Sequence, residues 1–197
     1  MRPYSYLFVC VLAGPVALAS AGCLASSKDR SGATCAADSY EPNDTQQTAR
    51  ELAELQDDPD SEQKPLTLAI SSDSDEDWFR VHVKDTGAGG DPTITASVSS
   101  SKFQVTTWFV CDGARSQNTQ CQYGTEAATR IEGALGCNGK DFEPATDQGS
   151  TVLDTGSGTT TTTDCSGTSD DDGVLYIRVQ RRSLSTDCAY ELSVKVE

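Results

Sequence analysis

The chain has 197 residues, with 15 Lys and Arg against 30 Asp and Glu, so its formal net charge at pH 7 is −15. A surface of this sign repels the phosphates of nucleic acids and attracts divalent cations, which excludes nucleic-acid binding from the expected functions. The length behind an N-terminal leader fits one domain with a hydrophobic core of its own.

The N-terminus is typical of a secretory leader. Arg2 precedes an apolar run that extends to about Leu18, and small residues follow. The run is too short for a transmembrane helix, and no later stretch has the roughly 20 apolar residues that one requires. We therefore expect the mature protein outside the cytoplasm.

Two processing sites compete at the end of this leader. An Ala-x-Ala site at residues 19–21 would release a soluble, secreted or periplasmic protein. The sequence Ser-Ala-Gly-Cys at residues 20–23 resembles a bacterial lipobox, in which the cysteine carries the lipid. Lipidation of Cys23 also explains an otherwise odd number of mature cysteines. The predicted organisation is a lipoprotein signal peptide over 1–22, a flexible tether over 23–36 and one domain over 37–197.

Six cysteines remain, and in an oxidising compartment they predict three disulfides. Six cysteines allow 15 pairings. Closure of short local loops favours Cys111–Cys121 and Cys137–Cys165, which leaves Cys35–Cys188 to tie the start of the domain to its last strand.

One helix is predicted near the start of the domain, from residue 44 to about residue 55. Ala49, Leu52 and Ala53 lie on one side of it. Asp44 is a candidate N-cap, with Gln47 three residues later as in a capping box.

Six segments have strand patterns. The clearest is 77–84, in which Phe79, Val81 and Val83 alternate with polar residues. The others span 65–71, 92–100, 103–111, 174–180 and 189–197. Short alternating strands between Gly, Asp and Ser turns predict an all-β fold, an antiparallel, jelly-roll-like β-sandwich.

The stretch 112–173 has no clear strand periodicity and includes a low-complexity tract of Gly, Ser, Thr and Asp. A structureless insertion of this length is unusual in a compact domain unless something organises it. We therefore expect a long, disulfide-stapled insertion here.

Two groups of oxygen-bearing side chains are candidates for a cation site. Glu41, Asn43 and Asp44 surround one proline, and Asp75 and Asp77 directly precede the clearest strand. Ca²⁺ requires roughly 6–8 oxygen ligands, which two loops meeting at one end of a sandwich could supply. The alternative is that the first group only makes a turn and caps the helix.

Four segments together resemble a known family. They are DSYEPNDTQQTA (38–49), DEDWFRV (75–81), GVLYIRV (173–179) and YELSVKV (190–196). In this order they are similar to the bacterial pre-peptidase C-terminal domain, a small β-sandwich appended to secreted peptidases. In the related collagen-binding domains of secreted collagenases, the corresponding segments bind calcium. The resemblance implies Ca²⁺ ligands at Glu41, Asn43, Asp44, Asp75 and Asp77.

Catalytic signals are weak. His82 is the chain's one histidine and falls on the polar side of a predicted strand, and no nucleophile elbow is present. Trp78 and Trp108 are candidates for a carbohydrate platform or for buried sandwich aromatics.

The sequence predicts a non-enzymatic, monomeric lipoprotein of the bacterial envelope, anchored in the outer membrane or at the cell surface. We expect it to carry a binding or accessory β-sandwich, with an extracellular protein or polysaccharide as ligand. The alternatives are a structural envelope lipoprotein without a specific ligand, or a hydrolase-associated module.

Overall fold

The structure, a computed structural model, describes residues 35–57, 59–86, 90–113, 116–142, 156–166, 171–182 and 185–197. The signal peptide, the lipidation site at Cys23 and the tether up to residue 34 lie outside the described residues. Within those residues, no helix is long and apolar enough to cross a membrane.

The described chain forms thirteen strands and one short 3-10 turn, Gln46–Thr48. The strands are β1 (Arg50–Glu51), β2 (Leu55–Gln56), β3 (Ser61–Ala69), β4 (Glu76–Lys84), β5 (Thr93–Val98), β6 (Phe103–Cys111), β7 (Ser116–Tyr123), β8 (Thr125–Ile131), β9 (Ala134–Asn138), β10 (Lys140–Asp141), β11 (Ser157–Ser166), β12 (Gly173–Arg181) and β13 (Ala189–Val196).

The strands form two packed sheets, which confirms the predicted β-sandwich. Sheet A has the order β1-β4-β12-β6-β9-β8, and β2 also pairs with β4. Sheet B has the order β10-β11-β5-β13-β3, and β7 also pairs with β11. The pairs are antiparallel, except that β1 and β2 run parallel to β4.

The core lies between the sheets because alternate residues of each strand point inward. On β4, Phe79, Val81 and Val83 are buried, while Arg80, His82 and Lys84 face outward, as predicted. The strands β5, β12 and β13 follow the same alternation. Their inward residues form a large part of the core: Ile94, Ala96, Val98, Leu175, Ile177, Val179, Tyr190, Leu192, Val194 and Val196.

The predicted helix is present only as its first turn. Its cap is Thr45, whose hydroxyl accepts a hydrogen bond from the Thr48 N–H at 3.3 Å. The prediction of Asp44 as the cap is wrong. Beyond Thr48 the chain extends into β1 and β2, because pairing with the edge of β4 satisfies backbone groups that a helix would otherwise bond internally.

The predicted insertion over 112–173 is stapled by disulfides at Cys121, Cys137 and Cys165, as expected. Its described residues are nevertheless regular rather than loop-like, because they form β7 to β11. Threonine replaces aliphatic residues on the inward face of β11, where Thr159, Thr161 and Thr163 are buried. The Thr159 hydroxyl contacts the Thr107 hydroxyl at 3.1 Å, and the Thr163 hydroxyl donates to that of Thr119 at 3.1 Å. Hydropathy alternation fails here because a buried polar face is satisfied by hydrogen bonds.

Three disulfides join the six cysteines of the domain. Cys35–Cys188 confirms the prediction, whereas the two local pairings are wrong. The pairs are Cys111–Cys165 and Cys121–Cys137. Each of these links a strand of sheet A to a strand of sheet B, so the sheets' stacking, rather than loop length, selects the partners.

Candidate metal centre

The N-terminal segment is hydrogen-bonded to both sheets just before the group formed by Glu41, Asn43 and Asp44. The Asp38 carboxylate accepts hydrogen bonds from the N–H groups of Tyr40, at 2.7 Å, and Ala69, at 2.9 Å. Arg50 then donates to the carbonyls of Tyr40 and Glu41. These contacts fix residues 38–41 against the end of β3.

Asn43 continues the contact along the start of β4. The Trp78 N–H donates to the Asn43 carbonyl at 2.8 Å, and the Asn43 side-chain amide donates to the Trp78 carbonyl at 3.4 Å. The acidic segments 41–44 and 75–77 are therefore brought side by side, although more than 30 residues separate them in the chain.

Three carboxylates meet at this junction. One oxygen from each of Glu41, Asp44 and Asp75 lies within 4.8 Å of the others. Asp75 is buried, Glu41 is half-buried and Asp44 is exposed, so the cluster is open to solvent on one side. An ion could enter from that side and reach oxygen atoms at several depths.

Three buried oxygens beside this cluster have no hydrogen-bond donor. They are the Oδ1 atoms of Asn43, Asp75 and Asp77, and with the carboxyl groups ionised no group of the described residues donates to them. Buried polar atoms are nearly always paired, because an unpaired one costs about 1–3 kcal/mol. Three such acceptors in one place indicate a site for a ligand that carries positive charge or donates hydrogen bonds.

The second polar atom of each of these side chains is held in place. The Asn43 amide bonds the Trp78 carbonyl, Asp75 Oδ2 accepts from the Ser71 N–H, and Asp77 Oδ2 accepts from the Tyr190 hydroxyl at 2.6 Å. One atom orients each side chain and the other remains available. This division is the usual arrangement of metal ligands and the outer groups that orient them.

Asp77 is the most strongly perturbed group of the centre. Burial raises its pKa from 3.8 to about 8, and the charges of Asp38, Asp75 and Glu41 act in the same direction. The hydrogen bond from Tyr190 only partly opposes this rise. At neutral pH and without a cation, the Asp77 carboxyl is therefore mostly protonated in the folded protein, whereas it is ionised in the unfolded chain.

The neighbouring carboxyl groups repel each other in the same way. The pKa of Asp44 is raised because its carboxyl shares a hydrogen bond with that of Asp75, and burial raises the pKa of Glu41. A bound cation would remove this repulsion and neutralise the cluster without protons.

The donor set fits a hard cation. All five predicted residues offer oxygen, from carboxylates or an amide, and oxygen ligands suit Ca²⁺ and Mg²⁺ rather than zinc or copper. The geometry brings Glu41, Asp44 and Asp75 together, and Asp77 is near enough for the charges of Asp75 and Glu41 to add to the effect of burial on its pKa. Asn43 lies between the first two in the chain.

Two residues of the centre are absent from the predicted set. Tyr190 and Asp38 fall within segments that carry the resemblance, but neither was predicted as a site residue. A tyrosine on the inward face of a strand requires a buried partner for its hydroxyl, which is the signal that could have identified Tyr190.

The other candidates have structural roles. His82 is exposed on β4 beside Glu51, 3.6 Å away. Trp78 and Trp108 stack on each other with centroids 5.4 Å apart, and Arg178 packs against both rings. Because both tryptophans are buried, the prediction of a carbohydrate platform on them is not supported and the buried interpretation is correct.

No family model, no curated protein and no solved structure matches this chain. The resemblance to the pre-peptidase C-terminal domain therefore stays a prediction.

Proposed function

We propose that the protein is a non-catalytic, calcium-stabilised binding module of the bacterial envelope. The observation that carries the calcium part is the set of three donor-less buried oxygens, on Asn43, Asp75 and Asp77, beside the carboxylates of Glu41 and Asp44. When calcium is bound, its positive charge provides these oxygens with the partner that the described residues do not offer them.

The proposed role of the cation is to lock the start of the domain onto the sandwich. The ligands come from the N-terminal segment and from the loop and strand that follow β3, which are separate parts of the chain. A shared ion would crosslink them. Its release would leave mutually repelling carboxylates at the junction, so folding and calcium binding are coupled.

Calcium should raise the melting temperature of the folded domain. A ligand at a hundredfold excess over its Kd stabilises the native state by about 2.7 kcal/mol, or about 5–10 °C for a domain of this size. Differential scanning calorimetry with and without millimolar Ca²⁺ measures the shift. Mg²⁺ should shift it less, because it demands a stricter octahedral geometry.

Variants of the centre separate this effect from general screening of acidic charge. Asp77→Asn and Glu41→Gln should abolish the calcium response, whereas Asp164→Asn, which removes one exposed charge from β11, should retain it. Quenching or enhancement of the fluorescence of Trp78, which is hydrogen-bonded to Asn43, provides a second readout. A melting curve that ignores calcium would refute the site.

The envelope location rests on Cys23. The six cysteines of the described domain pair among themselves, so none of them is left as a disulfide partner for Cys23. This pairing supports lipidation of Cys23, with an outer-membrane or surface anchor, over release as a secreted or periplasmic protein.

Cys23→Ala should move the protein from the membrane fraction to the soluble fraction of a bacterial host. Mass spectrometry of the wild-type N-terminus should find a lipidated Cys23. Ser26→Ala serves as the control, because it changes a residue close to Cys23 in the sequence without removing the lipidated cysteine. An unmodified N-terminus at Gly22 would contradict the proposal.

The non-catalytic role is a proposal on the same footing. It is supported by His82, which faces solvent with its Nε2 3.6 Å from Glu51 instead of contacting a nucleophile. Turnover by the purified protein in a broad hydrolase screen would favour the hydrolase-associated alternative.

A further inference from the structure

The outer face of sheet B carries a pair of aromatic rings. Tyr123 ends β7 and Phe142 follows β10, and their rings stack with centroids 5.7 Å apart and planes 18° from parallel. Phe142 is 37 % exposed, and Tyr123 is half-buried. The pair thus presents apolar ring surface to the solvent.

Both rings are held rigidly. The Phe142 N–H donates to the Gly156 carbonyl at 2.9 Å, and the Tyr123 hydroxyl donates to the Asp141 carbonyl at 2.6 Å. Phe142 lies directly on the backbone of β11, because a Cβ at Gly158 would come within 2.5 Å of its ring. Rings that are already fixed lose little side-chain entropy when a ligand covers them.

Uncharged polar side chains surround the pair. We call this surface the neutral face. It consists of the two rings and of outward, uncharged residues of β5, β7 and β11, and Lys140 and Asp164 lie at its borders. The uncharged residues are Thr93, Thr95, Ser97, Gln120, Gln122, Thr160 and Thr162. Among the described residues of these three strands, the one outward charge is Asp164, near the end of β11, and Lys195 of the neighbouring β13 borders the face opposite Thr95. Its hydroxyls and amides are ordered, as in the 3.1 Å contact between Thr95 and Thr160 and the 3.2 Å bond from Gln122 to Thr162.

We propose that the neutral face binds an uncharged polysaccharide, with Tyr123 and Phe142 stacking on its sugar rings. A sugar ring offers C–H groups to an aromatic face and hydroxyls to amide and threonine side chains, which is the combination present here. Charge selects the class of polymer. A chain of net charge −15 repels anionic polymers, whereas a neutral one needs no charged partner on the face.

The proposal deepens the binding function above and rests on it only for the premise that the protein is a binding module. The ligand is bound by sheet B, whereas the calcium centre joins the N-terminal segment to the β3–β4 loop. Sugar binding and the calcium response can therefore fail independently.

The test is retention of the purified protein on insoluble cellulose, chitin and xylan, with soluble oligosaccharides of each as competitors. The wild type should be retained on at least one of them. Tyr123→Ala/Phe142→Ala should weaken retention at least tenfold while the calcium-induced melting shift is unchanged. Tyr123→Phe keeps the ring but loses the hydrogen bond to Asp141, so it should weaken retention less than the double alanine variant does.

Two further variants serve as controls for the role of the two rings. Gly158→Ala keeps both rings but displaces Phe142, so it should also weaken retention. Tyr176→Ala removes an aromatic side chain from the outer face of sheet A and should have no effect on retention.

Several results would overturn the proposal. They are no retention on any of the three polymers, equal retention of the double alanine variant, or retention only on anionic alginate. A dimer that Phe142→Ala dissociates would assign the face to a second copy of the chain. Retention that appears only after deletion of residues 143–155 would assign the face to that segment.

Discussion

In calcium-free buffer, the free energy of unfolding should fall by several kcal/mol as the pH rises from 4 to 8. The pKa of Asp77 is about 8 in the folded protein against an ordinary value of 3.8. Between these values the folded state holds a proton that the unfolded state has lost, so stability decreases with pH. A difference of about four pKa units corresponds to at most about 6 kcal/mol, and the decrease is complete above pH 8.

Other titrating groups change how steeply the free energy of unfolding falls with pH, but they do not reverse the fall. The raised pKa values of Glu41, Asp44 and Asp171 act in the same direction. Asp57 opposes them: its pKa is lowered, since hydrogen bonds from Thr86 outweigh the effect of burial. These side chains are more open to water than Asp77, so Asp77 dominates the change.

Calcium should remove this loss of stability. The ion binds ionised carboxylates, so the stabilisation that it provides is smallest near pH 4 and grows towards pH 8. Denaturant unfolding in paired calcium-free and calcium-containing buffers, at half-unit pH steps, measures both curves.

Asp77→Asn is the control, because an amide keeps the hydrogen bond from Tyr190 and does not titrate. Its stability in calcium-free buffer should be nearly flat between pH 5 and 8 and should exceed that of the wild type at pH 8. A wild-type curve that rises over this range would contradict the assignment.

The second large effect is expected at the Cys35–Cys188 disulfide. It encloses a separation of 153 residues, for which loss of chain entropy in the unfolded state corresponds to about 5 kcal/mol. Cys35→Ser/Cys188→Ser should therefore lower the melting temperature by 10 °C or more, at about 2–4 °C per kcal/mol.

The same variant should bind calcium less tightly. The Cys35 N–H donates to the Ser71 carbonyl at 2.8 Å, and the Ser71 N–H in turn donates to the Asp75 carboxylate. Loss of the disulfide frees the segment that carries Glu41. We expect Kd, measured by isothermal titration calorimetry, to rise at least about fivefold, within the usual range of coupling energies.

Cys121→Ser/Cys137→Ser provides the matched comparison. This disulfide spans 16 residues and joins β7 to β9, which carry no residue of the metal centre. Its loss should cost about 3 kcal/mol of stability and leave the calcium Kd unchanged. Equal effects of the two variants on Kd would show that the first acts only through global stability.

The sequence predicted the strands correctly where one face of the strand packs against an aliphatic core. Phe79, Val81 and Val83 were assigned to the correct side because a side-chain period of two directly reports one-sided burial. The Cys35–Cys188 pair was also predicted correctly, but only as the remainder of two local pairings that are wrong.

Tertiary structure decided what depends on partners distant in the chain. The strand β11 has no aliphatic alternation, because hydroxyl pairs such as that of Thr107 with Thr159 satisfy its inward face. Cys111 and Cys121 pair across the sandwich because the two sheets place Cys165 and Cys137 opposite them.

The candidate centre divides in the same way. The sequence by itself determined which residues offer oxygen, and the resemblance grouped Glu41 and Asp44 with Asp75 and Asp77. Only the fold brings the two segments together through Trp78 and leaves a single oxygen of Asp77 without a donor, because the other is held by Tyr190 from the opposite sheet. Which atoms remain unpaired depends on the packing of two sheets, and no local pattern encodes it.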